Sequence, residues 1–333
     1  MKPLKFQYTK THVNFIAFYE DGKWQDGVME ADDHINISKM STALHYGQEA
    51  FEGLKAYMRK DGKVQIFRVD ENAKRFKRSC SYLLMPPVDE SFFIDAVVKT
   101  VQKNLDFVPP YGSGGSLYIR PYMIGIGSNL GLRPSSRYLF GVVVTPVGNY
   151  FENGLTPVDL MVSKYDRAAP NGTGSYKIGG NYAASLYAQG IAKSKGYADC
   201  IFLDPRSHEK IEEVGAANFF GITKDGKYLT PKSPSILKSI TNMSLQYIAT
   251  EMLKMDVILG DVYVKDLDHL AEAGACGTAA IITPIRKICD EDYEHMFPTQ
   301  DEPGEITHKL FDILTGIQVG DIKDPDHWMT IVN

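Results

Sequence analysis

Three times along the chain, apolar or alternating segments are interrupted by Asp-Gly-Lys: in FIAFYEDGKWQDGVM, KAYMRKDGKVQIF and FGITKDGKYLT. Asp-Gly is the strongest short hairpin signal, because glycine accepts the positive φ that a tight two-strand turn requires. The pattern predicts three hairpins in antiparallel sheet. Apolar positions recur at helical spacing over residues 70–84, 89–105, 182–195, 234–253 and 305–317, several of them opening on an Asp or Asn cap and stopping near Pro or Gly. Further strands are expected in SLYIRPYMIGIG, RYLFGVVVTPV, VDLMVSKY and ADCIFLD. Their mixture of alternating and continuously apolar patterns points to α+β layers, a mixed α/β arrangement without a regular βαβ repeat. The polar stretch VGNYFENGLTP follows a buried-looking strand and marks the expected boundary: a first domain over 1–147, a linker over 148–156 and a second domain over 157–333.

Length and charge narrow the partners. A chain of 333 residues with 44% hydrophobic content fills two ordinary cores. With 36 Lys+Arg against 41 Asp+Glu, no segment concentrates one sign, so neither nucleic acid nor a membrane surface is expected as partner. A small molecule is the expected ligand. The cysteines Cys80, Cys200, Cys276 and Cys289 are far apart and read as reduced thiols of a cytoplasmic protein. The N-terminal MKPLKFQYTKTHVNF has no apolar core of signal-peptide length, and the longest apolar run, near 140–144, is too short to span a bilayer. The eight histidines show no paired metal-ligand spacing, so no metal site is expected.

The stretch NGTGSYKIGGNYAAS, residues 171–185, raises a phosphate-loop reading that its spacing defeats. A P-loop needs glycine directly before the lysine and a hydroxyl after it; here Tyr176 precedes Lys177 and Ile178 follows. The dinucleotide fingerprint fails too, since Lys177 stands at its third glycine. What remains is either an exposed loop lysine or an amine in partly apolar surroundings, where desolvation favours the neutral, nucleophilic form. In KIEEVGAANFFGI, Glu212 and Glu213 run into an apolar strand-like segment. Glu213, next to Val214, is expected to point inward, the alternative being a solvated turn glutamate. An imine-forming lysine and a carboxylate facing a pyridinium are the two protein groups that pyridoxal phosphate requires.

The motifs FEGLKAY, SLYIRPYMIG, SYKIGGNY, EEVGAANFF and CGTAAIITPI, in that order, resemble the branched-chain amino-acid aminotransferases, class IV aminotransferases of the fold-type IV pyridoxal-phosphate architecture. The resemblance runs from about Tyr46 to GDIKDPDHW. It implies a small N-terminal α/β domain and a larger C-terminal, cofactor-binding domain with a β-barrel-like sheet. It implies transamination of Leu, Ile and Val with 2-oxoglutarate, giving 2-keto acids and L-glutamate by a ping-pong route, in a homodimer. By the same resemblance, Lys177 is the Schiff-base lysine and proton shuttle, Glu213 faces the pyridine nitrogen, and Tyr182 meets the cofactor O3′. Arg75, the amides of Ile240 and Thr241, and Thr278 hold the phosphate. Without the resemblance, Arg75 among Lys74, Lys77 and Arg78 would read as a solvated basic face. The turn of Gly277, Thr278 and Ala279 is implied to receive the substrate carboxylate. Tyr46, Phe51 and Tyr182 wall the side-chain pocket with Leu132 of a neighbouring subunit, and Tyr118 and Arg120 receive the distal carboxylate of glutamate.

Four positions depart from the family pattern: Asn242 where arginine is frequent, Ala280 and Thr283 where some members carry a redox cysteine pair, and Ala216 where some carry threonine. The alternatives are a D-amino-acid aminotransferase or aminodeoxychorismate lyase of the same fold type, a cofactor-binding module without turnover, and, in another class, a phosphate- or nucleotide-binding protein.

Overall fold

The computed structural model describes residues 4, 6–148, 155–290, 293–298 and 302–332. Most of the expected linker, residues 149–154, lies outside the described residues. The chain forms two compact units: Met1–Tyr150 with Tyr176–Gly179 and Gly316–Asn333, and Phe151–Ser175 with Gly180–Thr315.

The first unit is built on an antiparallel sheet whose path runs Met329–Ile331, Val64–Phe67, Leu54–Met58, Ser116–Gly125, Tyr138–Val147, Asn14–Glu20, Lys23–Trp24. Glu49–Phe51 also pairs with Ser116–Gly125, and Val28–Glu30 with Asn14–Glu20. Two of the Asp-Gly hairpins lie here, with Gly22 at φ 79° and Gly62 at φ 80°. Helices Val69–Tyr82 and Glu90–Gln102 lay their apolar faces on this sheet, and the fully buried Phe76 and Phe93 meet Phe140 at centroid distances of 5.6 and 5.9 Å. Each such ring contributes about 1.5–3 kcal/mol by leaving water. That packing fixes the face from which Arg75 and Ser79 project.

The expectation that 157–333 is one domain is corrected at two places, because Tyr176–Gly179 and Gly316–Asn333 belong to the first unit. Strand Val64–Phe67 is buried along its whole length and would otherwise leave an unpaired edge; Met329–Ile331 covers it. Arg68 stacks on Trp328 at 4.8 Å beside that pairing. Which edge a short terminal strand joins is not written in its local pattern.

In the second unit, Ile211–Val214, Asp199–Leu203, Val158–Val162, Ile281–Cys289, Leu270–Gly277 and Ala217–Thr223 pair in that order, and the last returns to pair with the first. Six strands therefore close into a barrel, leaving no edge within the ring. Tyr228–Pro231, entered through the third Asp-Gly turn with Gly226 at φ 81°, extends it outward. Leu160, Ile201, Phe219, Ile285 and Phe297 fill the core. Among the described residues two parallel crossovers, Val158–Val162 to Asp199–Leu203 through helix Gly179–Ser194 and Tyr228–Pro231 to Val257–Gly260 through helix Ile240–Tyr247, lie among antiparallel pairs and form no regular βαβ repeat.

The helix expected over 234–253 starts later, at Ile240, and passes into a π-helical turn at Ile248–Met252. Residues before it are committed elsewhere: Ser235 and Ser233 bond the Glu212 carboxylate, and the Leu237 amide donates to Glu213. Ser239 then caps the helix, its Oγ accepting from the Asn242 amide at 3.2 Å.

Candidate active site

The first unit assembles its site residues around Lys177, on the short excursion Tyr176–Gly179. The Lys177 amide donates to Ser79 Oγ at 3.0 Å, and its carbonyl accepts from the Phe51 amide at 3.1 Å. Tyr176 stacks on Tyr82 at 3.9 Å. Held by these contacts, the half-buried Lys177 places Nζ 4.9 Å from the centre of the Phe51 ring.

The FEG of FEGLKAY is intelligible residue by residue. Phe51 binds the Lys177 backbone. Glu52, fully buried, takes Arg75 Nε and Nη2 at 2.7 Å each, and also Asn72 Nδ2 at 2.8 Å. At Gly53 a Cβ would stand 2.3 Å from the Tyr118 hydroxyl, so glycine is what lets Tyr118 approach. Arg75 is thus buried and oriented by a carboxylate, which corrects the solvated-face reading. Tyr118 and Arg120 share one face of Ser116–Gly125, and Arg120 Nη2 donates to the Tyr118 hydroxyl at 2.8 Å. The Arg120 guanidinium lies 4.9 Å from the Phe51 ring, and its Nε is buried with no protein partner among the described residues. Burial pushes the neighbouring Glu49 carboxyl up, against the opposing charge of Arg120. Tyr46 donates to the Leu130 carbonyl at 2.6 Å, while Leu130 and Leu132 are 82% and 83% exposed.

The second unit holds the rest. Glu212 and Glu213 sit on Ile211–Val214 and are both buried, because alternate residues of a strand face opposite sides and both sides are covered. The solvated-turn alternative for Glu213 is therefore overturned. Glu213 Oε1 accepts from the Leu237 amide at 2.7 Å and lies 3.2 Å from Arg167 Nη2. At the start of helix Ile240–Tyr247, the amides of Ile240 and Thr241 have no protein acceptor among the described residues, an arrangement that suits a dianion. Asn242, the departure from arginine, is a buried hub: it accepts from the Tyr228 hydroxyl at 2.7 Å and donates to Thr230 Oγ1 at 2.8 Å. Helix Ile240–Tyr247 packs on strand Leu270–Gly277, whose end opens the turn of Thr278, Ala279 and Ala280. That turn closes on Ile281 at φ 66°, where a glycine would be usual. Tyr182 occupies the first turn of Gly179–Ser194, whose start is tied down by Asn181 donating to the Thr173 carbonyl at 2.8 Å.

Taken separately, each unit offers donors that suit part of pyridoxal phosphate: the first a lysine on a ring-backed loop for an aldehyde and a buried arginine for a phosphate, the second a buried carboxylate for a ring nitrogen with open helix-start amides and a hydroxyl for a phosphate. The residues that sequence reasoning missed are Ser79, Glu52, Glu49 and Arg167. Glu52 lies in the FEGLKAY motif, whereas the other three carry no local signal, since each is defined by what it meets across the fold. The cysteines are buried, and burial pushes the Cys200 thiol up to about 12, away from reactivity.

Residues 49–288 match the family model for amino-transferase class IV. A branched-chain-amino-acid aminotransferase of Haemophilus influenzae is 52% identical over 99% of this chain and 97% of its own length. Among solved structures, the Escherichia coli branched-chain amino acid aminotransferase superposes with a TM-score of 0.79 at 28% identity, covering 96% of this chain and all of that one. The T.th. branched-chain amino acid aminotransferase, solved with pyridoxamine 5′-phosphate, gives 0.81 at 25% identity over 97% of this chain and 99% of that one. A match across most of the length, together with a barrel-and-sheet fold shared with these structures, places the chain in the class IV aminotransferase family.

Proposed function

We propose that this enzyme transfers the amino group of L-leucine, L-isoleucine or L-valine to 2-oxoglutarate, with pyridoxal 5′-phosphate held by Lys177. The observation that carries this reading is the 52% identity over 99% of the chain to a branched-chain-amino-acid aminotransferase. When bound, the cofactor supplies an aldehyde for covalent capture of an amine and a pyridinium ring that accepts the electron pair left at the substrate Cα.

The chain's own groups do the rest. Lys177 would hold the cofactor covalently and, once released, would move a proton between the substrate Cα and C4′. Glu213, ionised, keeps the pyridine nitrogen protonated. Tyr182 orients the ring through O3′, while Arg75, the amides of Ile240 and Thr241, and the Thr278 hydroxyl hold the phosphate. The amides of the turn of Gly277, Thr278 and Ala279 receive the α-carboxylate. Phe51 and Tyr46 wall an apolar pocket, where each buried methylene adds about 0.8 kcal/mol. Tyr118 and Arg120 meet the distal carboxylate of glutamate at the rim, so one pocket serves both half-reactions.

The exposure of Leu130 and Leu132 suits a second copy of the chain, with Leu132 lining its neighbour's pocket. A fully active monomer contradicts that assembly. With reduced cysteines and no described helix long and apolar enough to cross a membrane, we assign the enzyme to the cytoplasm. The test is direct. Borohydride treatment of the protein with added cofactor should fix a mass adduct that Lys177→Ala abolishes, and L-leucine should far exceed D-alanine as donor to 2-oxoglutarate. An adduct that survives the substitution moves the covalent role to another lysine; preference for D-alanine overturns the substrate class.

A further inference from the structure

We propose that Arg167 is a positioning residue for the cofactor ring: it keeps Glu213 ionised and aimed, and ties that carboxylate to the loop that leads into Lys177. The inference rests on the assignment of Glu213 to the pyridine nitrogen. Arg167 has no role in the reading above and lies ten residues before Lys177, in SKYDRAAP, with no motif around it.

The geometry is unusual for a structural arginine. Its side chain is 8% exposed and that of Glu213 4%. From this buried position a single nitrogen, Nη2, reaches Glu213 Oε1 at 3.2 Å, the Gly174 carbonyl at 3.1 Å and the Ser235 carbonyl. Nε is buried without a protein partner among the described residues. The same chain shows what a geometrically saturated pair looks like: Arg75 grips both oxygens of Glu52 in a parallel fork. Arg167 forms no such fork. It spends one corner of the guanidinium at the junction of three segments, the strand bearing Glu213, the loop ending in Ser175, and the strap before helix Ile240–Tyr247.

Each contact has a consequence. A cation beside a buried carboxylate favours its ionised form, and that form is the one able to hold a proton on a ring nitrogen. The Leu237 amide converges on the same oxygen at 2.7 Å, so charge and hydrogen bond fix one orientation of Glu213. The two carbonyl contacts hold Gly174 against Ser235, where a Cβ on residue 174 would stand 2.1 Å from the Ser235 oxygen. Movement of Arg167 would therefore disturb the ring-nitrogen partner and the Lys177 approach together.

The test compares full-length wild type with Arg167→Gln and the fold-sparing Arg167→Lys. It reads the borohydride-trapped adduct at Lys177, the dissociation constant of pyridoxal phosphate, and the pH midpoint of the bound cofactor's visible absorption. All three proteins should take the adduct. In Arg167→Gln the cofactor should bind about tenfold more weakly or worse, and the absorption midpoint should move up by about one pH unit, because a less firmly held ring proton removes a neighbouring positive charge. Arg167→Lys, which keeps the charge but not the three-way reach, should recover most of the midpoint and less of the affinity. A midpoint unchanged in Arg167→Gln overturns the proposal, even if thermal stability falls, since that result marks a loop clamp only. A wild type that takes no adduct overturns the covalent reading, and the role of Arg167 with it.

Discussion

Arg75 and Glu52 meet through two parallel hydrogen bonds of 2.7 Å, Nε to Oε1 and Nη2 to Oε2, between the helix Val69–Tyr82 and the strand-linking FEG motif. With Glu52 fully buried and Arg75 8% exposed, removing one partner strands the other's charge in the interior. Glu52→Ala should lower unfolding stability by about 3–5 kcal/mol. It should also weaken cofactor binding, because the fork sets the direction of the Arg75 guanidinium. Urea unfolding reads the first effect and cofactor titration the second; an unchanged urea midpoint would show that the pair contributes nothing.

Lys55 offers a pH test. It stands on Leu54–Met58 opposite Tyr118, and burial lowers its amine from 10.5 to about 8. Between those two values the unfolded chain binds more protons than the folded one, so stability rises with pH through that window; below about 8 the buried charge is a standing penalty. Lys55→Met should therefore flatten the rise between pH 8 and 10 and stabilise the protein at pH 7, by up to about 3 kcal/mol. Unfolding free energies at about pH 7.5 and pH 10 decide it. Parallel profiles for variant and wild type would count against a desolvated Lys55.

The glycines around Lys177 should differ sharply. A Cβ at Gly174 meets backbone of Ser235 at 2.1 Å, which cannot rotate away, whereas one at Gly180 meets nothing within 4 Å. Gly174→Ala should cost about 2 kcal/mol or more through backbone displacement. Gly180→Ala, in the first turn of a helix, should be neutral or stabilise by up to about 1 kcal/mol. Thermal midpoints of the two variants, measured together, should fall on opposite sides of wild type or leave only Gly174→Ala below it.

Ile281 sits at φ 66°, a conformation that costs a β-branched residue roughly 1–2 kcal/mol. The strain closes the turn of 278–280, with Gly277 and Ile281 as its paired ends. Ile281→Asn should raise the thermal midpoint by a few degrees, since Asn accepts this backbone region, and should raise KM for leucine as the turn amides loosen. A lower midpoint would mean that packing of the isoleucine outweighs the strain.

Much of the fold is legible along the chain. The three Asp-Gly turns each join antiparallel strands, since Asp-Gly with flanking apolar residues is sufficient to define a hairpin locally. The helix starts expected at residues 70 and 89 fall within one residue of those observed, because Asp and Glu at the first turn mark them. The start expected at 234 lies six residues too early, because Ser233, Ser235 and Leu237 bond to the side chains of Glu212 and Glu213, partners more than twenty residues away in sequence.

Local sequence settles whatever depends on neighbours: turn chemistry, periodicity, the failure of the phosphate-loop spacing at Lys177, and the run of motifs that carries the family. Long-range packing alone decides that Glu52 orients Arg75, that Ser79 and Phe51 hold the Lys177 backbone, that residues 316–333 return to the first unit, and that Arg167 stands at Glu213. The physical reason is the same in each case. A buried charge or an unpaired strand edge is costly until something distant satisfies it, and which distant group does so is fixed by chain closure and packing.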